Sequence, residues 1–208
     1  MTHDIVDVLI VGAGASGAAV AYSLADTRMR IMCMEQGEWM NPAHYASTRS
    51  EWEYLRQSEY SLSPNVRKRA ADYPINDSES PIAVANFNAV GGSTIIYAAH
   101  FPRFHPSDFK VRTLDGVADD WPISYAELEP FFAENDRVMG VAGLAGDPAY
   151  PHHEPPMPPI PLGRSGETMA RGFNKLGWHW WPADSAIATQ QYEGREQCAN
   201  LGPCMGGC

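Results

Sequence analysis

The segment Gly12-Ala13-Gly14-Ala15-Ser16-Gly17 follows directly on the apolar, β-branched run Val6-Asp7-Val8-Leu9-Ile10-Val11. A Gly-x-Gly-x-x-Gly pattern in that context can cradle a pyrophosphate. Gly12 permits a tight turn, Gly14 lets the backbone approach a phosphate with no Cβ in the way, and Gly17 lets a helix pack close to the strand. The helix that begins at Ala15 and Ser16 turns its unpaired N–H groups and positive dipole end toward the anion. Glu35 lies 18 residues past Gly17, at the end of a second apolar run, Arg30 to Met34. A carboxylate there accepts hydrogen bonds from a ribose 2′-OH and repels a 2′-phosphate. Without a ligand, the same residues make a plain strand-turn-helix with Glu35 on its surface.

A second glycine segment, Asn88-Ala89-Val90-Gly91-Gly92-Ser93-Thr94, runs into the apolar Ile95-Ile96-Tyr97-Ala98. It reads equally as a loop-to-helix approach that holds a phosphate or ring edge and as an ordinary helix start capped by Ser93 or Thr94. Three of the four cysteines, Cys198, Cys204 and Cys208, crowd into the last eleven residues. Their spacing is not the Cys-x-x-Cys repeat typical of ferredoxins, and it leaves a disulfide, a zinc site or plain buried thiols open. Leu201 stands where a Cys-x-x-Cys repeat would want another thiol. Cys33, inside the second apolar run, reads as a small buried hydrophobe.

The elements that must position these groups are partly legible. Val6 to Val11, Ala15 to Ala25 and Arg30 to Met34 predict a β-α-β unit. Glu51 to Leu55 predicts a short helix, and Ser61 to Ser80 a loop rich in prolines and charges. Ser124 and Glu127 form a capping box, and Pro130 suits the first turn of a helix running to Met139, which Gly140 stops. Seven prolines between 147 and 161 predict an extended connector. Ser165 suits the cap of a further helix with Met169, Phe173 and Leu176 on one face and Gly177 at its end. Trp178-His179-Trp180-Trp181 predicts a strand. The charge balance, 15 basic against 25 acidic side chains for a net −10, argues against a nucleic-acid surface and against anionic membranes. No apolar stretch is long enough to span a bilayer. No signal segment is evident, so the cytoplasm is the default location.

The two glycine motifs at this separation, with Glu35-Gln36-Gly37, Pro102-Arg103-Phe104, Asp108-Phe109, Asp120 to Tyr125 and Leu128, resemble the glucose-methanol-choline (GMC) oxidoreductases. The resemblance is strongest to the branch with sugar-acid and glucose dehydrogenases and pyranose oxidases. It implies an α/β fold, with a Rossmann-like FAD-binding domain and part of a discontinuous α+β substrate domain. On that pattern, residues 1–146 belong to the FAD-binding domain, 147–162 to a proline-rich connector, and 163–208 to the start of the substrate-domain and cysteine region.

Carried over by position, Gly12, Gly14, Ala15, Ser16 and Gly17 would hold the FAD pyrophosphate and Glu35 the adenosine ribose. Gly91, Gly92, Ser93 and Thr94 would line the flavin side. Arg103 is expected in a structural ion pair. Some relatives place a histidine before an Asn or Trp in the second motif and bond it covalently to FAD. Here the pair is Ile96-Tyr97, so FAD is expected to be non-covalent.

The family's histidine base lies beyond Cys208, so no catalytic residue is assigned. His152 and His153 are expected to be solvated and His179 to sit in the strand. Cys198, Cys204 and Cys208 match a stretch that some relatives use for an iron–sulfur cluster. The implied function is the N-terminal part of an FAD-dependent oxidoreductase acting on CH–OH groups of alcohols or sugars, with hydride passing to flavin N5. Its partners would be that small-molecule substrate and an electron-accepting cytochrome or small subunit, which leaves a periplasmic, membrane-associated complex open. The alternatives are a non-catalytic nucleotide-binding fragment and an NAD-dependent dehydrogenase, the latter opposed by the second glycine motif.

Overall fold

The computed structural model describes residues 5–70, 72 and 75–200. The architecture is mixed α/β and divides into two compact units, one reaching to Ala98 and one spanning Ala99–Asn200.

In the first unit, strand β1 (Val8–Val11), helix α1 (Ala15–Leu24) and strand β2 (Ile31–Met34) form the expected β-α-β unit. The strands pair in parallel, Val8 opposite Ile31 and Val11 opposite Met34. Gly12 makes the turn at φ +94°, a conformation that favours glycine, and its N–H reaches Met34 O at 2.7 Å. Among the residues of β1 and β2, Ile10 alone is buried. Leu9, Val11, Met32 and Met34 stay exposed. Such unbroken apolar strands suit a parallel sheet covered on both faces, and two strands cannot cover themselves. Cys33 is therefore exposed rather than buried, which corrects the sequence expectation.

The core of this unit lies in the irregular segments instead. Tyr45, Ala46, Tyr60, Phe87, Ala89 and Ile96 form it. Tyr60 stacks on Phe87 with ring centroids 6.2 Å apart, and its hydroxyl donates to His44 O at 2.7 Å. Helix α2 (Trp52–Arg56) stands one residue past the expected start. A one-turn helix α3 (Pro64–Arg67) interrupts the stretch read as loop.

In the second unit, α4 (Val111–Asp115), α5 (Tyr125–Met139) and α6 (Gly163–Leu176) carry the regular structure. The Ser124–Glu127 capping box is present at the start of α5, and Gly140 ends the helix at φ +69°. Pro130 lies inside α5, not at a first turn. It removes one backbone donor, and the capped turn before it and the nine residues after it keep the helix continuous. Arg103 is buried, donating from Nε and Nη2 to Asp136 Oδ2 at 2.9 and 2.7 Å and from Nη1 to Glu129 at 3.2 Å. This is the structural pair that the sequence led us to expect. Ser165 lies within α6 and caps nothing. On the expected apolar face of α6, Met169 and Leu176 are exposed, while Phe173 is half-buried and stacks on Trp178. Trp178 to Trp181 form no strand. Trp181 and Trp180 instead spend their indole N–H groups on Leu144 O and Asn174 Oδ1.

Candidate functional site

Three segments of the first unit converge on the peptide of Ala13. Its N–H donates to Glu35 Oε2 at 2.6 Å, and its carbonyl accepts the N–H of Gly91 at 2.8 Å. The second carboxylate oxygen of Glu35 accepts the N–H of Gly37 at 2.8 Å. Gly37 lies flat on the second glycine segment: a Cβ there would sit 2.4 Å from the nitrogen of Ala89. The neighbouring Glu38 carbonyl takes the N–H of Val90 at 3.1 Å. The contacts close a ring from Ala13 through Glu35, Gly37, Ala89 and Gly91 back to Ala13. The two glycine turns therefore lie side by side. Gly91 adopts φ +100°, and a Cβ on Gly92 would lie 3.3 Å from the Cα of Gly14.

Each glycine of the first motif has a separate role. A Cβ on Gly17 would lie 2.0 Å from the carbonyl oxygen of Gly12 and 3.1 Å from Ile10, so Gly17 serves close packing of α1 on β1. At Gly14 a Cβ would meet nothing within 4 Å. Gly14 is the N-cap of α1, with no side-chain cap and no acidic residue in the first turn. Ala15 and Ser16 are exposed. The helix start thus offers backbone N–H groups with no side chain occupying them, the condition an anion needs.

Glu35 is less free than its sequence position suggests. The N–H of Gly37, and then that of Ala13, hold its carboxyl below the ordinary glutamate range. Each oxygen retains lone-pair capacity, so the clamp and acceptance from a ribose are compatible. Because Glu35 ionises more readily in the folded protein than unfolded, its contribution is complete above the ordinary glutamate range and is lost as pH falls through the folded value. We expect Glu35→Gln to flatten the acid limb of a melting-temperature profile between pH 3 and 7. An acid limb identical to that of the parent protein would show that the clamp is not formed.

Ser93 and Thr94 cap no α-helix. The segment Gly92–Ile95 is a single 3-10 turn. Ser93 Oγ accepts the N–H of Phe87 at 3.1 Å, and Thr94 Oγ1 donates to Gly91 O at 2.6 Å. Ile96 is buried in the aromatic core.

A feature missed by the sequence reading holds this segment. Arg67 and Asp72 form a buried bidentate pair, Nε to Oδ2 at 2.8 Å and Nη2 to Oδ1 at 2.7 Å. Burial opposes ionisation of Asp72, but the hydrogen bonds and charge of Arg67, with a bond from Asn88, carry its carboxyl below the usual aspartate range. No local signal marks the pair, because its residues fall in the stretch whose prolines and charges read as loop.

The described residues assign no general base. His152 is exposed, as expected, but His153 is buried, with Nε2 2.9 Å from Asp184 Oδ2. That partner is remote in sequence, which is why His153 read as solvated. His179 lies in no strand. It faces Asp147 Oδ1 at 2.9 Å and stacks on Trp181. Cys198 Sγ accepts the N–H of Asn200 at 3.4 Å. Cys204 and Cys208 lie outside the described residues, and among the described residues no three His, Cys, Asp or Glu side chains form a metal-binding group. No described helix is long and apolar enough to cross a membrane.

No family model matches the chain. The 2-methyl-1,2-propanediol dehydrogenase of Mycolicibacterium austroafricanum is 42% identical over 197 residues, which cover 93% of this chain and 35% of that protein. The fructose dehydrogenase large subunit of Gluconobacter japonicus is 30% identical, covering 97% of this chain and 40% of its own length. The gluconate 2-dehydrogenase flavoprotein of Pantoea cypripedii is 25% identical, covering 96% of this chain and 38% of its own length. The chain therefore spans 35% to 40% of the length of these relatives.

Proposed function

With these relatives, the chain belongs to the GMC oxidoreductase family, and we propose that it is the FAD-holding part of an oxidoreductase acting on CH–OH groups of alcohols or sugars. The observation that carries this reading is the shared Ala13 peptide, which joins both glycine turns and Glu35 in one site. The β1-α1-β2 unit is read as the start of a Rossmann-type dinucleotide fold. The division into a FAD-binding region 1–146, a connector 147–162 and a region 163–208 belongs to the same proposal. A discontinuous domain need not coincide with a compact unit of contacts.

The residues present fit FAD. Space opens at Gly14, and the start of α1 presents uncapped, uncharged backbone. Gly12, Gly14, Ala15, Ser16 and Gly17 would hold the pyrophosphate, Glu35 the ribose, and Gly91, Gly92, Ser93 and Thr94 the flavin side. When bound, FAD supplies the hydride acceptor for oxidation of the carbinol carbon. The chain's own part is to fix the cofactor: backbone N–H groups at α1 neutralise the phosphates, and Glu35 excludes a 2′-phosphate by charge while accepting ribose hydroxyls. Ile96 has no nucleophilic nitrogen and lies in the aromatic core, so the attachment is non-covalent.

An iron–sulfur cluster at Cys198, Cys204 and Cys208 is part of the proposal, as is a cytochrome or small subunit that takes up the electrons. The fructose dehydrogenase relative is itself named a large subunit, and soft thiolate donors suit iron.

The test is a visible spectrum of the complete native protein. Flavin bands are expected to bleach when 2-methyl-1,2-propanediol, fructose or gluconate is added without oxygen. Acid denaturation is expected to release free FAD, and elemental analysis to find iron in the same sample. Purified protein with no flavin would overturn the reading. Flavin left on the peptide would overturn non-covalent attachment, and absence of iron the cluster.

A further inference from the structure

One buried ion pair grips three consecutive residues just ahead of the second glycine turn. Arg67 Nη1 donates to Asn86 O at 2.7 Å. The Arg67 guanidinium lies over the ring of Phe87, 4.7 Å from its centroid. Asp72 Oδ1 accepts from Asn88 Nδ2 at 3.0 Å. Arg67 also reaches Ser61 O at 2.7 Å, and Asn86 N–H donates to Leu62 O at 3.1 Å. The side chains of Arg67 and Asp72 are 0% and 1% exposed, so water does not compete for these bonds. Asn88 is followed by Ala89, which lies against Gly37, and then by Val90 and Gly91, which bond Glu38 and Ala13.

We infer that Arg67 and Asp72 act through Asn88 as positioning residues for the flavin-side glycine turn, and so set the affinity for FAD. The pair meets the second glycine segment only at its first residue, Asn88, and touches none of the glycines. It fixes residues 86–88, and the turn at Gly91 inherits that placement one residue pair later. A guanidinium suits this role because its planar fork serves a carboxylate bidentately while the remaining N–H groups reach carbonyls. Buried polar networks of this kind favour a single arrangement.

This inference rests on the FAD reading above, and the experiment separates the two. Asn88→Ala in the complete protein leaves the Arg67–Asp72 bonds and the Arg67 contacts with Asn86 and Phe87 in place, and removes the side-chain bond from Asp72 to Asn88. The expected result is a modestly lowered melting temperature of the ligand-free protein, which loses a buried bond to a charged group, with FAD bound about tenfold more weakly on titration of apoprotein and altered visible circular dichroism of the bound flavin. Asn88→Ser, which keeps a donor, is expected to recover part of the affinity. A purely structural role would lower the melting temperature and leave the affinity of the folded fraction unchanged. FAD affinity within twofold of the parent in Asn88→Ala overturns the inference. If that variant does not fold, Asn88→Ser and Arg67→Lys, which keeps the charge but loses the fork, decide by the same titration. A parent protein that binds no FAD defeats the functional reading and this inference together.

Discussion

Replacing Gly14 by alanine is expected to leave the ligand-free protein folded and to weaken FAD binding about a hundredfold or more. The two halves of that result come from different observations. Gly14 has φ −73° and ψ −170°, an extended conformation open to any residue, and a methyl group there would meet nothing within 4 Å. Substitutions of this kind change stability by about 0.5 kcal/mol or less. With cofactor present, the methyl group would stand where the pyrophosphate approaches the start of α1. Displacing the phosphate from two backbone N–H groups forfeits two charge-assisted bonds of about 1.5 kcal/mol or more each. Since 1.4 kcal/mol is a factor of ten, the loss is about a hundredfold. Thermal melting of the ligand-free variant and titration of apoprotein with FAD measure the two effects separately. Parent-like affinity in Gly14→Ala would remove the pyrophosphate from this turn and with it the assignment.

The ease with which the first glycine motif was read, and the difficulty of everything that holds it, have one cause. Gly12, Gly14 and Gly17 act within one strand-turn-helix, so their spacing alone states the geometry, and the Ser124–Glu127 box is legible for the same reason. Glu35 was readable as the end of β2, but its bond to Ala13 depends on the strand register. The Gly91–Ala13 bond, the His153–Asp184 pair and the Arg67–Asp72–Asn88 network join residues whose proximity no periodicity announces.

Cys33 and Trp178 to Trp181 show the opposite error. Their composition suits a covered strand, yet β2 has no partner beyond β1 among the described residues, and the Trp180 and Trp181 side chains find acceptors outside any sheet. Pattern reports what a residue tolerates; burial depends on what else packs there. Leu9, Val11 and Met34 are exposed on the two described strands.

Gly37→Ala is expected to abolish flavin retention and to lower stability as well. Its Cβ would lie 2.4 Å from Ala89 N, 2.5 Å from Ala89 Cα and 2.6 Å from Asn88 C. All three are backbone atoms, so no rotamer change relieves the contact. The segments must part, which strains the Glu38–Val90 and Ala13–Gly91 hydrogen bonds and the Gly37 N–H bond to Glu35. Overpacking with backbone displacement costs about 3 kcal/mol, which lowers the melting temperature of a chain this size by roughly 6–12 °C. Gly17→Ala would bring its Cβ to 2.0 Å from the Gly12 carbonyl oxygen and 3.1 Å from Gly12 C and Ile10 Cγ2 and is expected to destabilise by pushing α1 from β1, leaving the second glycine turn on its Gly37 seat. The order of the three variants is therefore diagnostic: Gly14→Ala loses ligand and keeps the fold, Gly17→Ala loosens one turn, and Gly37→Ala opens the ring that joins both. Should Gly37→Ala melt with the parent and retain FAD, the closed ring around Ala13 does not exist, and the two glycine turns are not held as one site.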